Sequence, residues 1–278
     1  MIFLIDGNKK INACPESSTD LMSTHLAHRP PTFLSDCALA SLALFEDSVS
    51  SSSLASWCAE PIAAQGGGIT VRVRSSSEEG RPSTFYTSAS LADVTVQQIN
   101  ESMLYENRLR WDAQILEPVY LARFTTMDVV AYRSASAMAG LIAGRSFVDV
   151  RYTTTSEDGE SEIMSSSCSA PVETTEREAA CGATEWLRRA DDELHLVRAT
   201  NFSGGGIAIR RRVSEVEGGG ERVVVDVDMM STTALGGKLP AWMIKSATAT
   251  AMKQLIGNMA KHNAFTILPE GRPTVSLP

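Results

Sequence analysis

Asp149 and Arg151 stand two residues apart in Phe147–Thr155, a segment rich in Val, Tyr and Thr. Residues two apart in a strand project to one face, so this carboxylate and guanidinium share a side of any sheet that holds them. A guanidinium in an apolar interior needs a partner, because an unpaired buried charge is costly. Asp149 is one candidate and an anionic group on a bound ligand is another. A salt bridge that only shapes the sheet is an equal reading. Covalent chemistry would need a titratable pair inside one cavity, and Asp149 with Tyr132 or His195 is the best pair on offer.

The other chemistry-bearing residues have less support. Cys14, Cys37, Cys58, Cys168 and Cys181 are odd in number, scattered and without zinc-ligand spacing. They read as free thiols of a reducing compartment. His25 and His28 have no further ligands near them, so neither a metal nor a cofactor is expected. Gly204 to Gly206 lacks the strand–loop–helix setting of a dinucleotide loop, and no Ser or Thr follows Lys238 to complete a phosphate loop. The Gly-x-Ser-x-Gly elbow of hydrolases is absent from the sequence. Asn201-Phe-Ser spells a glycosylation sequon, but Met1 to Asp6 has no basic leader and does not read as a secretory signal. Arg210 to Arg212 reads as a solvated strand end or a contact for anionic headgroups.

Composition narrows the function class. The chain has 278 residues, 43% apolar and 21% charged, with net charge −8. An acidic balance argues against a dedicated nucleic-acid binder. No apolar run approaches the roughly 20 residues that span a bilayer.

The elements that must position Asp149 and Arg151 follow from periodicity. Leu34, Ala38, Leu42 and Phe45 recur at helical spacing. The serine run Ser50 to Ser53 and Gly66 to Gly68 read as punctuation. Ile69, Val71 and Val73 alternate with Thr70, Arg72 and Arg74, the mark of a half-buried strand. Thr84–Ser88 reads as its partner, and Leu91, Val94, Ile99 and Leu104 as a helix after it. Strands follow over 114–124, 128–134, 147–155 and 161–170, with the small-residue segment 135–144 between the second and third. Residues 171–192 read as a polar surface insertion, partly helical over 176–189. Three more strands cover 194–200, 206–213 and 222–229, and a helix runs from Pro240 to His262. Strands that succeed one another without helices form an antiparallel sheet. The simplest way to bury these faces is an α+β fold, a curved sheet with the long last helix across its mouth. Its domain is expected over 32–265, after a loose lead-in at 1–31 and before a loose tail at 266–278. The last helix carries an apolar stripe of Ile244, Ala247, Ala251, Leu255 and Met259. Small residues in mid-stripe, Ala247, Thr248 and Ala251, fit either a close approach or a cavity.

Four segments in this order resemble the START family, the lipid-transfer domains related to steroidogenic acute regulatory protein. They are Arg-Leu-Arg-Trp-Asp at 108–112, Gly-Arg-Ser-Phe-Val-Asp-Val-Arg at 144–151, Leu-Val-Arg-Ala-Thr-Asn at 196–201, and Gly-Gly-Lys-Leu-Pro-Ala-Trp-Met-Ile at 236–244. The resemblance covers roughly residues 65–263. Ser146 departs from the family's usual Asp, the segment Met229 to Leu235 is longer than its usual turn, and the central insertion is long.

The resemblance implies a helix-grip fold enclosing a lipid cavity gated by the C-terminal helix. It implies binding, transfer or sensing of one lipid, phospholipid slightly ahead of sterol, with transient membrane contact, a peripheral cytoplasmic location and a monomer. Arg108 and Asp112 match positions that hold phosphate and choline in some relatives, and Tyr132 and Phe147 are candidates for an aromatic cage. Arg151 is implied to face the cavity. The acidic partner that sterol-binding relatives carry on the preceding strand has only Tyr132 and Arg133 in the matching region. The full set expected to touch lipid is Arg108, Asp112, Tyr132, Phe147, Asp149, Arg151 and Asn201, with Ile244, Ala247, Thr248, Ala251 and Leu255 from the last helix. Trp111 reads as a core anchor, and Trp242 as either buried or membrane-touching. The alternatives are an enzyme on the same grip, a cyclase or hydrolase of a hydrophobic substrate, and a regulatory module whose lipid alters partner binding.

Overall fold

In the computed structural model, residues 30–77, 81–136, 142–216 and 219–269 are described. Cys14, His25, His28 and nearly all of the expected lead-in lie outside them, as does most of the expected tail.

The first helix, α1 (Thr32–Ser48), buries Leu34, Ala38, Leu42 and Phe45, the spacing read from the sequence. The serine run is not punctuation. Ser50 caps α2 (Ser51–Trp57) by accepting from the amide of Ser53, and the helix buries Leu54 and Trp57. Serine suits an N-cap because its oxygen satisfies an amide that has no partner within the helix. Then β1 (Ile62–Gly66) and β2 (Ile69–Arg74) form a hairpin, with Ile69, Val71 and Val73 buried on one face of β2. Strand β3 (Thr84–Ala92) runs four residues past the expected end. Leu91, expected in a helix, lies in the strand opposite Val225. The helix starts only at α3 (Val96–Met103), where Thr95 and Gln98 form a capping box, and a short α4 (Tyr105–Arg108) follows.

The strands β4 (Ile115–Arg123), β5 (Met127–Ser134), β6 (Arg145–Thr155) and β7 (Glu162–Ser169) form an antiparallel meander. Helices α5 (Thr175–Ala180) and α6 (Thr184–Arg188) come next. Although the segment reads as polar, it buries Val172, Cys181, Trp186 and Leu187 with α1 against the outer faces of β5, β6 and β7. The single strand expected over 194–200 is two short pieces, β8 (Val197–Arg198) beside β6 and β9 (Thr200–Asn201) beside β11. The break falls at Ala199, whose amide donates to the carbonyl of Ser146. Strands β10 (Gly206–Val216) and β11 (Gly220–Ala234) pair along their whole length. The segment Met229 to Leu235, expected as a long turn, continues β11 almost to its end. The last helix, α7 (Ala241–Asn263), ends at Ala264 in the left-handed conformation, and β12 (Thr266–Ile267) adds to β3.

The sheet order is β1-β2-β3-β11-β10-β7-β6-β5-β4, antiparallel throughout this path. Helix α7 lies over β1, β2 and β3 on the concave side and buries Ala249, Met252, Ile256, Met259 and Ala260. This is the expected grip of sheet on helix. The buried row is not the stripe read from the sequence. Met259 belongs to it, whereas Ala247, Ala251 and Leu255 face a hollow beside it. An apolar face wider than 100° serves both purposes.

Gly206 shows how closely the layers approach. A Cβ there would lie 2.5 Å from the carbonyl oxygen of Ser165 and 3.1 Å from the Phe45 ring. Gly206→Ala is therefore expected to cost about 2 kcal/mol through overpacking, read as a lowered urea midpoint with an unchanged slope.

Candidate functional site

Between α7 and the concave side of β5, β6, β7, β10 and β11 lies a hollow of about 370 Å³. That is far beyond the roughly 10–15 Å³ that admit one water. Ala247, Thr248, Ala251 and Leu255 form its helical wall, Tyr132, Phe147, Ile207 and Met229 part of its sheet wall, and Arg108, Arg145 and Arg151 part of its polar lining.

Of the twelve residues expected to touch a ligand, ten line this hollow: Arg108, Asp112, Tyr132, Phe147, Arg151, Asn201, Ala247, Thr248, Ala251 and Leu255. Asp149 and Ile244 do not. Asp149 is buried in the wall on the same face of β6 as Phe147 and Arg151, where its carboxylate accepts from the Tyr132 hydroxyl at 3.0 Å, Ser169 Oγ at 3.1 Å and Asn201 Nδ2 at 2.7 Å. Ile244 sits half-buried in the first turns of α7. His195, the other half of the possible titratable pair, is outside the hollow on the surface, its Nδ1 3.2 Å from the carbonyl oxygen of Asp191.

The partner of Arg151 is neither Asp149 nor a ligand. The register of β5 and β6 sets Asp128 directly opposite Arg151, and the guanidinium donates to the Asp128 carboxylate. Tyr132 lies opposite Phe147 instead. The acidic residue on the preceding strand therefore exists, four residues before the region that suggested Tyr132 and Arg133. Burial pulls the Arg151 guanidinium down, and Asp128 more than offsets it, leaving it above its ordinary value. Both side chains are mostly shielded from water. Asp128→Asn is expected to cost about 2 kcal/mol, more than Arg151→Met, because the first leaves an uncompensated buried cation. Urea unfolding of the two variants checks the order.

Arg108 and Asp112, four residues apart, form an ion pair in which Arg108 Nε, at 3.1 Å, and Nη2 both donate to Asp112 Oδ2. The backbone amide of Gln114 donates to Asp112 Oδ1 at 3.0 Å. Tyr132 and Phe147 do not open as a cage. They stack on each other with centroids 4.7 Å apart and planes 6° from parallel, and Tyr105 lies 5.4 Å from Tyr132. Burial, with Asp149 nearby, pushes the Tyr105 phenol up to about 12 and the Tyr132 phenol well above its ordinary value. Burial also lifts Asp149 to about 6, against its three hydrogen bonds, which act downward.

Sequence reasoning missed several lining residues. Arg145 is 3% exposed and donates to the carbonyls of Ala143 at 2.6 Å and Leu235, joining the hairpin end before β6 to the loop before α7. Ser231 and Thr233 were hidden in the segment taken for a turn, although two-residue spacing puts both on the face of Met229. Asn201, spelled as a sequon, points its amide into the wall. Arg210 and Arg212 are not a free strand end. They pair with Asp228 at 3.3 Å and Asp226 at 2.8 Å on the outer face. Trp111 is half-buried, its indole N–H donating to the carbonyl of Ser102, while Trp242 is 65% exposed at the start of α7. Among the described residues no helix is long and apolar enough to cross a membrane, and no group of three metal-ligating side chains converges.

No protein-family model matches the sequence, and no curated protein does. Solved structures do match. Human StAR-related lipid transfer protein 5 aligns with TM-score 0.59 and 20% identity over 82% of this chain and 96% of its own. Human STARD10 aligns with TM-score 0.52 and 17% identity over 74% of this chain and 75% of its own. A StAR-related lipid transfer protein of Xanthomonas axonopodis, as a fragment, aligns with TM-score 0.50 and 16% identity over 73% of this chain and 97% of its own. With its antiparallel sheet wrapped on a long C-terminal helix, this chain has the helix-grip fold of the StAR-related lipid transfer domains.

Proposed function

We propose that this chain binds one lipid in the hollow between α7 and the sheet and carries it between membranes as a monomer, without covalent chemistry. The observation that supports this most is the helical wall of Ala247, Thr248, Ala251 and Leu255, which leaves the space opposite it unfilled. Each methylene of an acyl tail or sterol body placed there contributes about 0.8 kcal/mol. The names of the matching solved proteins point the same way. The contact set proposed is the ten lining residues, with Asp149 acting on Tyr132 and Asn201 from within the wall.

Of the three guanidinium groups in the lining, Arg108 and Arg151 are held by Asp112 and Asp128, whereas Arg145 is held by backbone carbonyls, and it is Arg145 that favours a phospholipid over a sterol, since a guanidinium suits phosphate. Entry at the α7 end would expose the lipid least to water. Trp242 stands exposed there beside exposed Lys238 and Lys245, a pattern suited to brief contact with an anionic membrane surface. A peripheral, cytoplasmic place for the protein follows from that reading. An enzyme on the same grip is not favoured, because Asp149 is closed off from the hollow and His195 is remote from it.

Native mass spectrometry of the purified protein tests the reading, before and after exposure to liposomes. One bound lipid per chain is expected. A bare protein that takes up nothing from any liposome overturns it.

A further inference from the structure

Within the sheet wall of the hollow, one hydrogen-bonded path crosses four strands, and all of its members except Asp149 line the hollow. It runs from Ser231 and Thr233 on β11 through Asn201 on β9 to Asp149 on β6, and on to Tyr132 on β5. Ser231 Oγ and Thr233 Oγ1 are 2.9 Å apart, Thr233 Oγ1 is 2.7 Å from Asn201 Oδ1, and Asn201 Nδ2 is 2.7 Å from Asp149 Oδ2. The Tyr132 hydroxyl reaches the same Oδ2 at 3.0 Å.

A carboxylate only accepts hydrogen bonds, so Asp149 fixes where every proton in this path points. Tyr132 must donate to it. The amide nitrogen of Asn201 must face it, which turns the amide oxygen toward Thr233. Thr233 then spends its single hydrogen on that oxygen and can only accept from Ser231, so Ser231 spends its hydrogen too. The Ser169 hydroxyl agrees with this order, because it accepts the Asn201 backbone amide at 2.9 Å and donates to Asp149 at 3.1 Å. The two ends of the path, Ser231 and Tyr132, both line the hollow. Asn201 Nδ2 also reaches the Tyr132 hydroxyl, at 3.4 Å, and takes up one of its acceptor sites. Each end still keeps a lone pair and has no hydrogen to offer.

We infer that this wall is a subsite selecting a lipid that carries an O–H or N–H donor over its counterpart that carries only acceptors. The inference rests on the lipid-carrier reading and narrows its ligand class. A donor in the ligand completes the acceptors of Ser231 and Tyr132. A bare carbonyl set there meets only lone pairs and gives up its own hydrogen bonds to water.

Matched lipids test it at pH 7.5. The protein is incubated with dioleoyl phosphatidylcholine vesicles containing 5α-cholestan-3β-ol or 5α-cholestan-3-one, and separately with vesicles of dioleoyl phosphatidylethanolamine and phosphatidylcholine. Bound lipid is then quantified by mass spectrometry. At least tenfold preference is expected in one pair, for the alcohol over the ketone or for phosphatidylethanolamine over phosphatidylcholine, and the pair identifies the source of the donor. Equal uptake within both pairs, or preference for the acceptor-only member, overturns the inference and leaves the carrier reading standing. No uptake from any vesicle overturns the carrier reading itself. The double variant Ser231→Ala with Tyr132→Phe lacks both oxygens and is expected to bring the ratio of the two bound lipids toward one, with total uptake lowered to the extent that Tyr132 contributes contacts of its own. A preference that survives it overturns the assignment to this wall.

Discussion

Replacing Ala251 with tryptophan is expected to abolish lipid uptake while leaving the protein folded. Ala251 sits on the hollow side of α7, away from the row of Ala249, Met252 and Ile256 that packs on the sheet. An indole at 251 therefore enters empty space rather than a filled core, and the usual cost of overpacking does not arise. If it displaces four methylenes of a bound tail, the loss at about 0.8 kcal/mol each is about 3 kcal/mol, more than a hundredfold in affinity. Thr250→Trp is the control, since Thr250 is exposed and does not line the hollow. Uptake from fluorescent-lipid liposomes and a thermal melt check both variants. Undiminished uptake by folded Ala251→Trp would remove the hollow from consideration as the binding site.

The contrast between 250 and 251 marks how far the sequence speaks. Period two in Ile69–Arg74 and period three to four in α1 and α7 depend only on which face meets water, so the antiparallel sheet and the long last helix were legible. The errors fall where a local signal yields to pairing across the chain. Leu91 looks like the start of a helix, yet β11 offers Val225 opposite it and extends the strand. Ser50 to Ser53 looks like a linker until Ser50 is seen to cap α2. On α7 the stripe was visible, but which apolar residues touch the sheet and which face a void depends on the position of β1 to β3, and no periodicity carries that.

The site divides in the same way. Arg108 and Asp112 are only four residues apart, a spacing at which side chains meet, yet the resemblance assigned both to a ligand and their pairing with each other went unread. Asp128 and Arg151 are joined only by strand register, which depends on where the β5–β6 connection ends. One residue of slip would exchange every facing pair. Ser231, Thr233, Asn201 and Asp149 come from three segments far apart in sequence, and polar residues at strand ends look alike whether they face water or a shared carboxylate. A buried acid is the one clue, since Asp149 stands between Val148 and Val150.

That burial gives the second large effect. The Asp149 carboxyl is lifted from its ordinary 3.8 to about 6 in the folded protein. The folded state therefore holds the proton more tightly than the unfolded chain. Its contribution to stability is complete only well below pH 3.8 and is lost as pH rises through 6, opposite in sign to an acid held by a salt bridge. The shift of about 2 units corresponds to about 3 kcal/mol, of which about 2 kcal/mol falls between pH 4 and pH 7.5. Asp149→Asn removes this titration and keeps the shape. Urea unfolding of both proteins at the two pH values is expected to show the wild type losing about 2 kcal/mol relative to the variant as pH rises. Taking the difference cancels groups the two proteins share, including Glu106, whose carboxyl is held low, with Tyr120 and Arg123 outweighing its burial. Parallel pH profiles would mean that Asp149 is solvated in the folded protein, and the proton order along the wall would lose its anchor with it.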